Sequence, residues 1–173
     1  STAGKEATVT GNKKYTLNGA VTIGTLDGAN VEIREQVGAE NFFLFGMTAA
    51  EVHERRAVEG HAWDAIGRDQ RLARAIDSLR NGLFADGDHD RFRHIADNIS
   101  GPDYFLVASD FTEYARASRE AEAAFADPAR WGQMAAQNIA RSGWFSSDRT
   151  IRGYLKDIWH AGSLDSQASV AAE

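Results

Sequence analysis

Beyond Gly46 the apolar residues of this 173-residue chain recur at helical spacing, and that one feature limits the folds open to it. Leu72, Ile76, Leu79 and Leu83 make one face of a helix closed by Asn81-Gly82, while Phe92, Ile95 and Ile99 share another face before Gly101-Pro102 stops the chain. Asp110, with Glu113 three residues on, is a variant of the capping box, and Asp127-Pro128 is an N-cap followed by proline at the first helical position. Both are expected to open helices. The last predicted helix carries Ile151, Tyr154, Leu155, Ile158 and Trp159 at i, i+3, i+4, i+7 and i+8, the full stripe of a docked amphipathic helix. Strands are scarce by comparison: residues 20–26 (AVTIGTL), 42–45 (FFLF) and 104–107 (YFLV), with a short helix from about residue 30 to 37 joining the first two. So few strands leave a parallel sheet incomplete, and the chain reads as the closing part of a helix-rich α/β domain whose upstream strands are missing.

The balance of 43% hydrophobic and 25% charged residues belongs to a soluble globular protein, and the length predicts one domain. Residues 1–162 are its expected extent. Residues 163–173 (SLDSQASVAAE) are small and polar and are predicted to be a disordered tail. With 19 basic against 25 acidic residues the formal net charge is −6, which repels phosphate backbones and anionic lipid, so neither nucleic acid nor a membrane surface is an expected partner. No apolar run approaches the roughly 20 residues of a membrane span, and the N-terminus lacks the apolar core of a signal peptide. Cysteine is absent, which excludes disulfides, thiolate catalysis and Cys-ligated metals and fits a reducing, cytoplasmic setting. The chain opens on Ser rather than Met, so either Met was removed or the sequence starts inside a longer protein.

Gly4, Gly11, Gly19, Gly24 and Gly28 crowd the first 28 residues among Thr and Asn, a composition that makes tight turns and lets backbone approach a ligand. Within it, Thr8 to Gly19 reads as a turn entering a short helix that Asn18-Gly19 closes. The start of such a helix offers free N–H groups and a partial positive charge to an anion such as phosphate. Lys14, expected near that start, is then either a counter-ion or an imine-forming amine; equally, Lys13 and Lys14 read as a solvated pair on a surface turn. The stretch is neither a Walker loop nor a G-x-G-x-x-G motif.

Other patterns carry less. Asp86, Asp88 and Asp90 spell D-x-D-x-D, but Arg91 and Asp97 stand where a calcium loop requires Gly and Glu. His53, His61, His89, His94 and His160 form no H-E-x-x-H pair, and no G-x-S-x-G elbow exists. Trp63, Trp131, Trp144 and Trp159 lie on or beside helical faces and are expected as packing anchors.

The run STAGKEATVTGNKKYTLNGAVTIGTLDGANVE resembles the pyridoxal-phosphate lysine region of the α-glucan phosphorylases, the family of glycogen, starch and maltodextrin phosphorylases. The likeness continues through GAENFFLFG (residues 38–46), NGLF (81–84) and NIARSGWFSSDRTIRGYLKDIW (138–159), so it covers nearly the whole chain, which resembles only the last fifth or so of such proteins. The resemblance implies the C-terminal part of a Rossmann-like domain in a glycosyltransferase-B type fold, with the last helices crossing back toward the first domain along the Ile151/Trp159 stripe. It implies that Lys14 holds pyridoxal 5′-phosphate as a Schiff base and that the amides of Thr10 and Gly11 receive the cofactor's phosphate. It further implies that Glu6 hydrogen-bonds hydroxyls of the transferred glucosyl unit, with the backbone amides of Thr8 and Val9 facing the same sugar.

The implied activity is a glycosyltransferase's part in glycogen metabolism: phosphate cleaves terminal α-1,4 glucosidic bonds of a glucan and releases α-glucose 1-phosphate, with the cofactor's phosphate relaying a proton. A homodimeric parent is implied as well. Three positions depart from the family's run: Val9 stands for Gly, Lys13 for Met and Thr8 for Ser. Two other readings remain open from the residues: an inactive fragment that binds a partner through its last helix, and a generic phosphate-binding α/β module.

Overall fold

The computed structural model describes residues 3–4 and 10–161. Helix α1 (Thr10–Leu17) leads to strand β1 (Ile23–Gly24), helix α2 (Ala29–Val37) and strand β2 (Phe43–Leu44). The strands pair in parallel, Ile23 opposite Phe43 and Gly24 opposite Leu44, so α2 is the crossover of a β-α-β unit. Both expected strands are thus present but shortened to two residues, since a strand extends only as far as a neighbour accepts its hydrogen bonds. Among the described residues the sheet holds these two strands.

The remainder is helical: α3 (Ala49–Arg56), α4 (His61–Arg68), α5 (Gln70–Arg80), α6 (Arg93–Ser100), α7 (Val107–Phe125), α8 (Pro128–Arg141) and α9 (Ser147–Asp157). Asp127 caps α8 as its sequence predicts, accepting from the N–H groups of Ala129 and Arg130 at 3.1 Å each. Helix α5 also lies where the periodicity places it, whereas α6 buries Ala96 and Ser100 rather than the expected face, Phe92 standing before the helix and Ile95 exposed. Leu83, counted with the α5 face, falls beyond the turn at Asn81-Gly82 and is exposed. A full capping box occurs at Thr48 and Glu51: the Thr48 N–H donates to Glu51 at 2.8 Å, and the Glu51 N–H donates to Thr48 Oγ1 at 3.3 Å.

The stretch 104–107 is no strand. The chain turns through left-handed backbone at Asp103 and Leu106, and α7 begins at Val107. Asp103, not Asp110, caps that helix, accepting from the N–H groups of Val107 at 2.8 Å and Ala108 at 3.0 Å. Asp110 lies one turn inside α7 and accepts from the Met47 N–H at 3.2 Å, tying the helix to the loop before α3. The expected cap failed because an earlier acidic residue already satisfied the first-turn amides.

Four apolar clusters hold the elements together, two of them built on α7. Ala117, Ala121 and Ala124 of α7 meet Met134 of α8 and Phe43 of β2, their small side chains letting the long helix lie close to the strand. Ala62, Leu72, Ile76, Ala96 and Ala108 join α4, α5, α6 and α7. Ile33 and Val37 of α2 pack with Phe42.

Helix α9 departs from expectation. It ends at Asp157, so Ile158 and Trp159 lie beyond the helix, and its stripe is largely exposed among the described residues: Ile151 is 46% exposed, Tyr154 43%, Ile158 60% and Trp159 59%, with Leu155 half-buried. The tryptophans differ accordingly. Trp131 packs on the α7–α8 cluster, whereas Trp63, Trp144 and Trp159 are exposed, Trp144 lying beneath the Arg149 guanidinium. No helix among the described residues is long and apolar enough to cross a membrane. The tail expected at 163–173 lies outside the described residues.

Asp103 and Asp110 are both buried, and loss of water pushes both carboxyls above the ordinary aspartate range, against the pull of the amides that donate to them. An acid with a raised folded pKa binds more protons folded than unfolded, so its contribution to stability is fullest below about pH 4 and is lost as pH rises through the folded value. The Asp110→Asn variant retains an oxygen for the Met47 N–H. Its urea midpoint is expected to fall less than the wild type's as pH is raised from about 4; parallel profiles would refute this.

Candidate functional site

The stretch from Thr10 to Gly19 folds as the sequence predicts, a short helix closed by an Asn-Gly turn. The Asn18 N–H donates to the Tyr15 carbonyl at 2.9 Å and the Gly19 N–H to the Thr16 carbonyl at 3.0 Å. Residue 19 has a φ of 82°, which glycine adopts without strain.

The helix has a back and a front. Asn12 and Lys13 are half-buried and Thr16 is fully buried, so these three form the back. Thr10, Gly11 and Lys14 are exposed and stand at i, i+1 and i+4, one face of the helix. Lys14 sits in the second turn rather than at the start, because the helix begins at Thr10. Three residues singled out by the sequence are thereby brought together. Glu6, Thr8 and Val9 lie outside the described residues.

The adjacent lysines take different surroundings. Lys13 Nζ lies 3.9 Å from Glu32 Oε2 on α2 and 4.9 Å from the centre of the Phe145 ring. For Lys14, no carboxylate lies within ion-pair distance among the described residues; its backbone carbonyl accepts from Asn18 Nδ2 at 2.7 Å. Among the described residues, none lies within 4 Å of where a Cβ on Gly11 would stand. First-turn amides have no acceptor within their own helix, and the partial positive charge there favours an anion. Chemically, this face offers an amine for a carbonyl carbon and N–H donors for a phosphate.

Behind the face is a contact that residue-by-residue reading of the sequence missed. Asn12 Nδ2 donates to Asn30 Oδ1 at 2.7 Å, and Asn30 Nδ2 donates to the Thr25 carbonyl at 3.2 Å, just past β1. Asn30 is buried on the α2 face that carries Ile33 and Val37. A polar residue at i of an apolar i, i+3, i+7 stripe was the signal available for it. Gly24 serves the same contact, since a Cβ there would stand 2.8 Å from Asn30 Nδ2 and 3.3 Å from Phe42 Cζ.

A short helix with an exposed lysine in its second turn, backed by a parallel β-α-β unit, belongs to an α/β protein, and the start of such a helix suits an anion. The chain belongs to the carbohydrate phosphorylase family, whose sequence profile matches residues 1–161. It is similar to the glycogen phosphorylase of Synechocystis sp., at 50% identity over 159 residues that make up 92% of this chain and 19% of that protein. The muscle form of glycogen phosphorylase from Ovis aries is 46% identical over 160 residues, and that from Homo sapiens 43% identical over 159, with the same coverage of each chain. The chain thus spans about a fifth of the length of the curated relatives it matches.

Proposed function

We propose that this chain is the cofactor-holding, closing part of an α-glucan phosphorylase that uses pyridoxal 5′-phosphate. The observation that carries the reading is the shared exposed face of Thr10, Gly11 and Lys14 in a chain 43–50% identical to glycogen phosphorylases. The donor set fits the group: an amine without a carboxylate partner among the described residues, N–H groups at a helix start, and no described residue within 4 Å of a Cβ placed on Gly11. Lys14 would hold it covalently through the ε-amine, and the Thr10 and Gly11 amides would receive its phosphate. When bound, the cofactor supplies a phosphate that exchanges a proton with the substrate phosphate during cleavage of the terminal α-1,4 bond.

This chain's own contribution is orientation and charge. Two phosphates side by side repel, and the partial positive charge at the start of α1 lowers that cost. Glu6 would accept hydrogen bonds from hydroxyls of the glucosyl unit, and the backbone at Thr8 and Val9 would face the same sugar. The products are α-glucose 1-phosphate and a glucan shortened by one unit. Residues 1–162 would complete a Rossmann-like domain of a glycosyltransferase-B type fold, with the largely exposed α9 stripe resting on the other domain in a cytoplasmic homodimer.

The two-strand sheet and the largely exposed stripe favour a second reading for the chain by itself: an inactive piece that at most binds a partner through α9. One experiment addresses both. Purified as these 173 residues, the chain is expected to release no glucose 1-phosphate from glycogen and phosphate above a cofactor-free control. The protein that carries it within a length like its relatives' is expected to do so, and to lose this activity when the cofactor is removed. Activity that survives cofactor removal would refute the proposal.

A further inference from the structure

We infer that Asn12 and Asn30 are positioning residues that set the rotation of α1 about its own axis and so decide which lysine reaches the cofactor. The inference rests on the cofactor reading above and deepens it. Successive residues of an α-helix project about 100° apart, so Asn12 and Lys14 lie roughly 200° apart, on opposite sides of α1. Whatever fastens Asn12 at the back therefore aims Lys14 at the front.

The fastening is a directed chain of two bonds, from Asn12 Nδ2 to Asn30 Oδ1 at 2.7 Å and from Asn30 Nδ2 to the Thr25 carbonyl at 3.2 Å. Its direction follows from chemistry. The Thr25 carbonyl only accepts, so the Asn30 nitrogen faces it and the Asn30 oxygen faces Asn12. The Asn30 amide donates through one atom and accepts through the other, so a single side chain carries both bonds. Burial of Asn30 removes competing water, and Gly24 keeps the space beside its nitrogen clear.

The rest of the back face provides less direction. Thr16 is fully buried, but its hydroxyl has no partner among the described residues. The Lys13 contact with Glu32 is half-exposed and long. Packing on α8 holds α1 in place, but among the polar contacts of the back face the asparagine pair is the directional one, and a rotated helix would turn Lys13 toward the position of Lys14.

The test uses the cofactor-loaded protein that carries this chain. It is reduced with borohydride, digested, and mapped for pyridoxyl-lysine. The wild type is expected to carry the adduct on Lys14. In Asn12→Ala and in Asn30→Asp, the ratio of Lys13 to Lys14 adduct is expected to rise by about tenfold, the equilibrium weight of one lost hydrogen bond. The double variant is expected to match the single ones, because both residues serve one chain.

A change that only weakened the fold would lower the unfolding temperature and leave this ratio unaltered. An unaltered ratio in the variants, with the wild-type adduct on Lys14, overturns the inference while the cofactor reading stands. A wild-type protein with no adduct on Lys14 overturns the cofactor reading itself. Should Asn30→Asp fail to fold, Asn12→Ala decides alone, since it leaves the bond between Asn30 and Thr25 in place.

Discussion

Replacing Lys14 with alanine is expected to abolish covalent capture of pyridoxal 5′-phosphate, whereas Lys13→Ala leaves capture intact. The two amines are neighbours in sequence and chemically identical, so the difference is geometric. Residues one apart on a helix point about 100° from each other. Lys13 turns to the back, where Glu32 and the Phe145 ring surround its ammonium, while Lys14 shares the front with Thr10 and Gly11.

Capture requires an unprotonated amine with room for a planar ring, and among the described residues none lies within 4 Å of a Cβ placed on Gly11 of the front face. The Lys13→Ala change removes one exposed ion pair and one ring contact, at a stability cost of about 0.2–1 kcal/mol. Borohydride reduction followed by peptide mapping measures the outcome. A full reduced adduct remaining in Lys14→Ala would refute the assignment.

Asn138→Ala is expected to lower folding stability by roughly 2–4 kcal/mol, a large share of what a domain of this size possesses. Asn138 is fully buried on α8. Its Nδ2 donates to the Met134 carbonyl at 2.9 Å and across the interface to the Asn41 carbonyl at 3.3 Å. Asn41 in turn donates from Nδ2 to the Val37 carbonyl at 2.7 Å, at the end of α2. The alanine variant therefore leaves the Asn41 carbonyl without this donor in a buried interface and opens a small void beside it.

The same helix supports α1, because Ala135 and Ile139 are the side chains nearest to the position a Cβ on Gly19 would take. Asn138→Leu, with the same number of side-chain heavy atoms but a larger volume, is expected to fill the void without restoring the hydrogen bond, and so to remain destabilised. Urea unfolding of the three forms gives the comparison. A midpoint in Asn138→Ala equal to the wild type's would show that α8 holds α2 without this amide.

Signals that act within one turn of chain were readable in advance. The cap at Asp127-Pro128, the Asn-Gly closures after α1 and α5, and the β-α-β order over residues 20–45 all depend on atoms a few residues apart. The helix face that unites Thr10, Gly11 and Lys14 depends on nothing more than the 3.6-residue period once α1 forms. What failed was competition between equal local signals. Asp103 and Asp110 are both acids ahead of helical residues, and only the backbone turn through Asp103 and Leu106 chose between them, which also removed the strand expected at 104–107.

Contacts between distant residues left no comparable trace. Asn12 meets Asn30 from 18 residues away, Asp110 meets Met47 from 63, and Asn138 meets Asn41 from 97. Each is a buried polar group matched to one carbonyl, amide or N–H. Local periodicity shows that such a group is out of place on an apolar face, but not what it will find there. By itself, then, the sequence determined several of the helices and the ends set by Asp127-Pro128 and the Asn-Gly turns, because these follow from spacing along the chain, while the family and the choice of Lys14 came from the resemblance of a long run of residues. The tertiary structure decided which back-face contacts hold that amine in place and left the α9 stripe largely exposed, because burial and hydrogen-bond satisfaction are settled only when separate elements meet.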